Sequence, residues 1–416
     1  MQDQEKYQMK VVHIFWSLTY GGIETMLVNI ANAQAEAGVD VCVIIINDRW
    51  EEALLKAFNK RVRVRYVHRK VGSKLPLFLL RLNRMLKEER EDVIHIHGSG
   101  FLDMLMWDDL RRKTCVTLHD LPHGKIRSDK WIFRLFPLLD IRSGSNVRSI
   151  DRVPHVFAIS QSVHDALLET YGVESTVVCN GIQTGAFRSR GQRPAGSPLR
   201  MVMVSRLVHE KKGQDLLIEA VAALKGKVTV DFIGIGESME FLKQLTADKG
   251  AEAWVRFLGK RTQPEVRSML ADYDLFVQPS RYEGFGLTVA EAMAAGVPVL
   301  VSAGQGPSEV TCGDKYGWTF ENGNAVELTG MIRYITEHFS EALDKAELAV
   351  EHVRNTYDVS VTAKRYLKEY EKINDKKDMT KLTNVIGGGR YREERREKRV
   401  ECRIVAMGAP SERRCA

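Results

Sequence analysis

Two carboxylates lie in one short stretch of this sequence whose composition suits the binding of an anionic ligand. The stretch is VQPSRYEGFGLTVAEAMAAGVPVLVS, residues 277–302, in which seven residues separate Glu283 from Glu291. Gly284 and Gly286 let backbone N–H groups approach a ligand closely. Alone, Glu291 would be interpreted as a solvated charge on a helix surface. Its alanine and methionine neighbours indicate a packed helix instead, so we expect its carboxylate to have a hydrogen-bonding partner.

A second candidate site is the basic loop of the segment SRLVHEKKGQDLL, residues 205–217. It places Arg206, Lys211 and Lys212 between a predicted strand and a predicted helix. A guanidinium and an ammonium group at one strand end could neutralise the charge that grows on a departing diphosphate. A solvated basic loop without function explains the same residues, and the segment by itself leaves both interpretations open.

Glycine pairs follow two other predicted strands. Gly21 and Gly22 lie where the first strand meets the first helix, and Gly234 and Gly236 lie in FIGIGES. Each pair could let the backbone approach a ligand. A plain turn explains Gly21 and Gly22 equally well, and a lone G-x-G favours a tight turn.

Histidines cluster near one edge of the first predicted sheet. His95 and His97 alternate on one strand and therefore share a face, while His119 and His123 follow the next strand. Such a cluster could bind zinc, but no carboxylate or thiol completes a ligand set at a recognisable spacing. We therefore predict no metal site, and we interpret His119, just past a strand end, as a polar residue aimed at a substrate hydroxyl.

The pair Asp272 and Asp274 spells D-x-D, which can mark a clamp for a metal ion and a nucleotide. Here Asp274 opens a buried strand after a helix. This position favours a helix-end cap.

The stretch that carries the two glutamates reads as a strand, a loop, a helix and a second strand. The predicted strand Asp274–Gln278 ends at Pro279, a helix should span Leu287–Ala295, and Val297–Val301 forms the next strand. The loop opens at the strand's carboxyl end, where open α/β sheets bind ligands. The helix start adds a positive partial charge that suits a phosphate or a sugar oxygen.

The rest of the chain repeats this alternation of strands and helices twice. The pattern predicts parallel sheets covered on both faces, in two doubly wound, Rossmann-like α/β domains that face each other across a cleft. A segment rich in Gly, Pro, Arg and Ser separates the two halves. The predicted units are a first domain (1–179), a linker (180–198), a second domain (199–355), a C-terminal helix returning to the first domain (356–374) and a basic disordered tail (375–416).

Composition restricts the classes of function. The chain has 416 residues, 28% of them charged, and a formal net charge of +7, of which residues 375–416 carry +5. The body is nearly neutral, so we expect no nucleic-acid partner. Six cysteines without C-x-x-C spacing favour a reduced compartment. With no membrane-spanning run and no secretory signal in MQDQEKYQMK, we expect a cytoplasmic protein.

These motifs together resemble one known family. TYGGIETM, DVIHIHG, VTLHD, VVCNGIQTGAF, SRLVHEKKGQDLLIEA, IGIGES and PSRYEGFGLTVAEAMAAGVPV occur in the order seen in retaining glycosyltransferases of family 4, the group 1 glycosyltransferases with the two-domain GT-B fold. The resemblance runs from about Val11 to Asn374. It departs from the family at NGIQ, where NGID is usual, which affects the polar contact at Gln183, and at Ser205, where Gly is common.

The resemblance assigns a role to each candidate residue. Glu283 and Glu291 match the family's Glu-x7-Glu pair, expected at the donor sugar's hydroxyls and at the ribose. Backbone N–H groups would bind the sugar and diphosphate. The remaining matches are the backbone donors Gly284, Phe285 and Gly286, the diphosphate-binding pair Arg206 and Lys212 with Lys211 as a further candidate, the glycine loops of Gly21, Gly22 and Gly236, and the sugar-site histidine His119.

The implied activity is transfer of a sugar from a nucleotide diphosphate donor to an acceptor hydroxyl, with retention at the anomeric carbon. Attack would come from the front face, assisted by the leaving diphosphate, with no metal and no cofactor required. Alternatives are a sugar-nucleotide epimerase, a phosphorylase on the same fold, or a non-catalytic nucleotide-sugar-binding subunit.

The acceptor is expected to be a sugar or a lipid-linked sugar in cell-surface polysaccharide or lipopolysaccharide synthesis. KLPLFLLRLNRMLK and KWIFRLFPLL combine basic and apolar residues. Core-facing amphipathic helices explain both segments, and so does peripheral contact with the inner face of a membrane.

Overall fold

The structure is a computed structural model that describes residues 9–19, 21–73, 75–98, 104–120 and 153–386, with side chains described as far as residue 374. The first domain contains a seven-stranded sheet of order β3-β2-β1-β4-β5-β6-β7, in which every pairing is parallel. Its strands are β1 (Lys10–Phe15), β2 (Asp40–Asn47), β3 (Arg63–Arg69), β4 (Val93–His97), β5 (Thr114–Leu118), β6 (His155–Ala158) and β7 (Thr176–Val177).

The second domain contains a six-stranded sheet of order β10-β9-β8-β11-β12-β13, again parallel throughout. Its strands are β8 (Leu199–Val204), β9 (Val228–Ile233), β10 (Val255–Gly259), β11 (Leu275–Gln278), β12 (Val299–Ser302) and β13 (Trp318–Phe320). Both sheets reverse their order at a central strand, so the predicted architecture of two doubly wound domains is confirmed.

Helices cover both sheets. Those of the first half span Gly22–Glu36, Glu52–Lys56, Leu77–Glu89, Asp108–Arg112 and Gln161–Tyr171. Those of the second half span His209–Lys212, Gln214–Ala223, Met239–Asp248, Gln263–Met269, Leu287–Ala294, Gly306–Val310, Ala325–Glu337, Phe339–Tyr357 and Val359–Ile386.

The last helix packs on the first domain. Tyr366 and Tyr370 are fully buried and share a hydrophobic cluster with Leu27 and Ile30 of helix Gly22–Glu36. Both tyrosines also hydrogen-bond to polar side chains of the first sheet. Apolar burial drives this docking, and the chain therefore crosses between the domains twice.

The two crossings lie side by side. Ile182 on the outward crossing forms a parallel bridge with Asp358 on the return. The backbone N–H of Ile182 donates to the carbonyl of Tyr357 (2.9 Å), and that of Val359 donates to the carbonyl of Ile182 (2.8 Å). A Cβ added to Gly181 would lie 2.7 Å from the Cα of Val359, so the crossings pack too tightly for a side chain there.

Some elements differ from the prediction. Helix Phe339–Tyr357 and strand Trp318–Phe320 were not predicted, and the last helix runs to Ile386, past the boundary placed at Asn374. His338 alone separates helix Ala325–Glu337 from the next helix, so no glycine or proline marks the break.

The helix Leu77–Glu89 has two different faces. Leu79, Leu82 and Leu86 are buried, which confirms the interpretation of this segment as a core-facing helix. Leu77 and Leu80 on its outer face are 66% and 56% exposed. The second amphipathic segment, KWIFRLFPLL, lies outside the described residues.

In the part of the chain that the structure covers, no helix combines the length and the apolar character needed to cross a bilayer.

Candidate functional site

The loop that follows β11 carries Glu283 to the carboxyl end of the second sheet. Its carboxylate contacts the ammonium group of Lys212 and accepts a hydrogen bond from Gln278 Nε2 (3.0 Å). The backbone N–H of Glu283 donates to Gln305 Oε1 (2.7 Å). The two candidate groups found in separate sequence segments therefore meet, and the contact fixes both side chains at the cleft.

The two lysines of the basic loop point to different partners. Lys212 contacts Glu283 within its own domain, whereas Lys211 forms an ion pair with Asp120 of the first domain. Gly213 follows them at φ +70°, and a Cβ there would lie 1.9 Å from the carbonyl oxygen of Pro279. Only glycine lets the basic loop lie this close to the strand end.

Arg206 is exposed at the end of β8, and two glycines set the position of its loop. A Cβ on Gly234 would lie 1.9 Å from the carbonyl oxygen of Ser205, and one on Gly236 would lie 2.2 Å from that of Leu207. The G-x-G segment therefore packs its backbone directly on the loop of Arg206. This close packing supports the tight-turn interpretation of these glycines.

Gly284 lies where the two domains touch. A Cβ on Gly284 would lie 3.3 Å from the carbonyl oxygen of His119 and 3.4 Å from the Cα of Asp120. Behind it, Gly306 has so little space that a Cβ would lie 2.4 Å from the Gly284 carbonyl. The structure thus brings His119 of the first domain against the glycine loop of the second.

The residues after Gly284 begin a helix. Gly286 has φ +94°, a conformation that glycine adopts without strain, and it precedes helix Leu287–Ala294. Phe285 is buried and its ring meets Tyr357 edge to face, with centroids 5.4 Å apart. The Phe285 side chain therefore anchors the loop in the core.

Glu291 is buried on the same helix. The expected partner is Gln263, whose side-chain amide donates to the Glu291 carboxylate. Burial raises the pKa of Glu291 to about 7, while the Gln263 hydrogen bond and the charge of Arg267 act in the opposite direction. A carboxyl group so placed can both accept and donate hydrogen bonds near neutral pH.

The first domain adds its glycine loop and one carboxylate that sequence reasoning missed. A Cβ on Gly22 would lie 3.1 Å from Leu287 Cδ1, so this loop faces the helix that carries Glu291. A Cβ on Gly21 would lie 2.3 Å from Glu24 Oε2. Burial raises the pKa of Glu24, and Arg206 across the cleft partly offsets that rise. Glu24 lacked a sequence signal because its position relative to Arg206 depends on domain packing.

The histidines form a buried group that includes one more residue than predicted. His13 on β1 lies beside His95 and His97 on β4, with candidate ligand atoms within 4.8 Å of one another. Every ring nitrogen of these three side chains already has a hydrogen-bond partner. In the structure the arrangement is a hydrogen-bonded network of imidazoles, and the absence of a zinc site stays a prediction. His123 lies outside the described residues.

The D-x-D pair binds the linker. Asp272 pairs with Arg188, and buried Asp274 pairs with buried Arg190 at 2.8 Å. Asp274 also accepts hydrogen bonds from the backbone N–H groups of Gly196 (3.1 Å) and Arg200 (3.0 Å). The prediction of a helix-end cap is wrong for Asp274, because its oxygens anchor the interdomain linker instead.

One further carboxylate spans the domains. Glu309 of the second domain accepts hydrogen bonds from the backbone N–H groups of Gln161 and Ser162, both at 2.7 Å. These groups begin helix Gln161–Tyr171 of the first domain, where a negative charge is stabilised. Together with Lys211 and Asp120, this contact joins the lobes near the site.

The sequence matches two family descriptions that divide the chain between them. Residues 20–185 match Glycosyltransferase Family 4, and residues 188–347 match Glycosyl transferases group 1. The boundary between the matches falls in the linker.

Individual relatives point the same way. The chain is 30% identical over 307 residues to the lipopolysaccharide core biosynthesis glycosyltransferase LpsE of Rhizobium meliloti, covering 72% of this chain and 80% of that one. It is 32% identical over 166 residues to the amylovoran biosynthesis glycosyltransferase AmsK of Erwinia amylovora, covering 38% and 40%. Anabaena HepE, solved with UDP and glucose, superposes with a TM-score of 0.71 at 22% identity, covering 87% of this chain and 99% of that one.

Proposed function

The chain belongs to the group 1 glycosyltransferases and has the GT-B fold, and from this we propose that it transfers a hexose from a nucleotide diphosphate donor to an acceptor hydroxyl with retention of anomeric configuration. The observation that carries the proposal is the meeting of Lys212 and Glu283 at the cleft, with the exposed Arg206 on the same basic loop as Lys212. A cation held by a carboxylate is fixed in position before the ligand arrives.

Charge neutralisation drives the proposed reaction. As the anomeric bond breaks, negative charge develops on the diphosphate, and Arg206 and Lys212 stabilise it. We assign the backbone N–H groups of Gly284 and Gly286 to the sugar and diphosphate, because these glycines follow Glu283, whose carboxylate contacts Lys212. These side chains supply the positive charge that a metal ion would otherwise provide, so the scheme requires no metal.

Sugar and ribose recognition is assigned to the two glutamates. Glu283 accepts hydrogen bonds from the donor sugar's hydroxyls while it orients Lys212, and Glu291 binds the ribose. His119 lies across the cleft, against Gly284, where it reaches the sugar from the first domain. The acceptor attacks on the face that the diphosphate leaves, and a diphosphate oxygen takes its proton.

The acceptor side is the first domain. We assign it a sugar or lipid-linked sugar in polysaccharide or lipopolysaccharide synthesis, because the relatives LpsE and AmsK are named for such pathways. Exposed Leu77 and Leu80 lie on the same surface as Arg81 and Arg84. Apolar side chains with neighbouring cations bind the interface of an anionic membrane, so this face is assigned peripheral contact with the inner leaflet.

Donor screening tests the proposal. The purified enzyme is incubated with UDP, GDP and ADP sugars, and slow hydrolysis and thermal stabilisation are measured. We expect one donor to be hydrolysed to free sugar of unchanged anomeric configuration, and Glu283→Ala to abolish that hydrolysis while the protein stays folded. A 2-epimer formed from the donor alone would identify an epimerase, and binding without any turnover would identify a non-catalytic subunit.

A further inference from the structure

A series of buried imidazoles extends from the candidate site into the first domain. His119 Nε2 lies 3.1 Å from His97 Nδ1, and His97 Nε2 lies 3.0 Å from His13 Nδ1. His13 Nε2 lies 2.8 Å from the side-chain oxygen of Gln34. His119 Nδ1 is the one ring nitrogen of this series with no hydrogen-bond partner among the residues that the structure describes.

The imidazoles of the series are neutral. Burial lowers the pKa of His13 to about 4 and that of His119 to about 3, and it holds the pKa of His97 well below its usual value. A neutral imidazole has one N–H donor and one lone pair. Each ring must therefore donate a hydrogen bond on one side and accept one on the other. All the hydrogen bonds of the series are consequently donated in the same direction.

The hydrogen bonds of Tyr370 determine the direction in which the series donates. Its hydroxyl lies 2.5 Å from His95 Nδ1 and 3.5 Å from Gln34 Nε2. A phenol is a better donor to an imidazole lone pair than the reverse, so Tyr370 donates to His95. The Tyr370 oxygen then has only lone pairs left, and Gln34 turns its NH₂ group to it. The Gln34 carbonyl consequently faces His13 and accepts the His13 Nε2 proton.

We propose that Tyr370 and Gln34 act through this series as positioning residues that hold His119 with its proton on Nε2 and its lone pair on Nδ1, ready to accept a hydrogen bond from a substrate hydroxyl. The inference rests on the proposed function for the identity of that hydroxyl. Each donated hydrogen bond polarises the next ring, which makes His119 Nδ1 a stronger acceptor than an isolated imidazole.

The series orients His119 but does not carry protons away. It ends at the Gln34 side-chain amide, which does not take up a proton at neutral pH. A proton taken up by His119 would therefore remain next to the site. This favours a role in binding and orientation over a role as general base, in agreement with the lowered His119 pKa.

Nitrogen-15 NMR of histidine-labelled, full-length protein tests the assignment without reference to activity. We expect His119 to show a protonated Nε2 and an unprotonated Nδ1. Tyr370→Phe keeps the ring but removes the hydroxyl, so it should give a mixture of His119 tautomers and raise the donor KM about tenfold, the effect of one hydrogen bond. Tyr366→Phe, on the same helix and also buried and hydrogen-bonded, should leave the His119 spectrum unchanged.

Some outcomes would overturn the inference. These are a proton on Nδ1 in the wild-type spectrum, a His119 spectrum that Tyr370→Phe does not change, or stoichiometric zinc bound by His13, His95 and His97 in the purified protein. The wild-type spectrum remains decisive if a variant does not fold. Failure to find a donor would affect the proposed function and leave the tautomer measurement standing.

Discussion

The ammonium group of Lys212 contacts the carboxylate of Glu283, although seventy-one positions separate them in the sequence. Strands β8 and β11 are neighbours in the second sheet, so the loops that follow them meet at one edge. The contact holds the Lys212 ammonium group in one position on the basic loop. Because it joins two distant segments, neither the basic loop nor the stretch with Glu283 could reveal it alone.

Removing either partner of this contact should abolish most activity. For Glu283→Gln and Lys212→Met we expect turnover to fall by about 10²-fold to 10³-fold, the range seen when one group that stabilises a transition state is lost. Because the two groups act as a unit, the double variant should be little worse than either single variant. A double-mutant cycle on kcat/KM measures this.

Lys243→Met serves as the control, because Lys243 and Glu240 form an exposed ion pair at 3.0 Å on another helix. It should leave turnover unchanged. Additive losses in the Glu283 and Lys212 cycle would show that the groups work independently and would contradict the shared role.

Glu291 should make the protein less stable as the pH rises. Its pKa is raised from 4.5 to about 7 by burial, so the folded state binds the Glu291 proton more tightly than the unfolded state does. Below about pH 4.5 both states are protonated, and the contribution of Glu291 to the free energy of unfolding should fall between about pH 4.5 and pH 7, by at most about 3 kcal/mol. The buried histidines have lowered pKa values and contribute the opposite slope in this range, so the Glu291 contribution is read from the difference between the wild type and Glu291→Gln. Urea denaturation at several pH values measures it.

Glu291→Gln should remove this contribution, since the amide stays neutral throughout, so its free energy of unfolding should rise relative to that of the wild type between about pH 4.5 and pH 7. Glu337→Gln, at an exposed helical position, should keep the wild-type dependence. A constant difference between the free energies of unfolding of Glu291→Gln and the wild type across this range would contradict the contribution assigned to Glu291.

A methyl group at Gly284 should interfere with the contact between the domains. In Gly284→Ala the new Cβ would lie 3.3 Å from both the His119 carbonyl oxygen and Ile159 Cδ1, closer than most such contacts. We expect kcat/KM to fall about tenfold or more because the lobes no longer close fully, with a small change in melting temperature. Gly330→Ala, at an open helical position, should keep full activity.

The outer face of helix Leu77–Glu89 should bind anionic membranes. We expect the protein to sediment with phosphatidylglycerol vesicles at low salt and to be released by high salt. Replacing both Leu77 and Leu80 with serine should greatly reduce sedimentation, whereas Leu348→Ser, with a 55% exposed leucine on the second domain, should not. Equal sedimentation of all three proteins would exclude this face as the membrane contact.

Much of the second domain could be predicted from local sequence. Pro279, Gly296 and Pro298 interrupt the apolar runs around helix Leu287–Ala294, so its boundaries follow from residues within a few positions of each end. Glu283 and Gly284 then had to lie at the carboxyl end of a parallel strand. Helix Phe339–Tyr357 had no such markers and was missed.

Contacts that depend on long-range packing could not be predicted. Gln263 lies on a different helix from Glu291, and Asp120 lies in a different domain from Lys211. His13 is one polar residue in an apolar strand, and it joins His95 only because β1 and β4 are neighbours in the sheet order. Strand order reflects the topology of the whole domain, which no short segment encodes.

The paired crossings at Ile182 and Asp358 form the connection about which we expect the two domains to rotate. Two chain segments tied together by backbone hydrogen bonds resist sliding and twisting far more than a single linker does, while they still allow rotation about the line between them. The two domains should therefore open by rotation about one axis and return to the same closed arrangement. Each turnover would then bring Lys212 and His119 back to the same relative position.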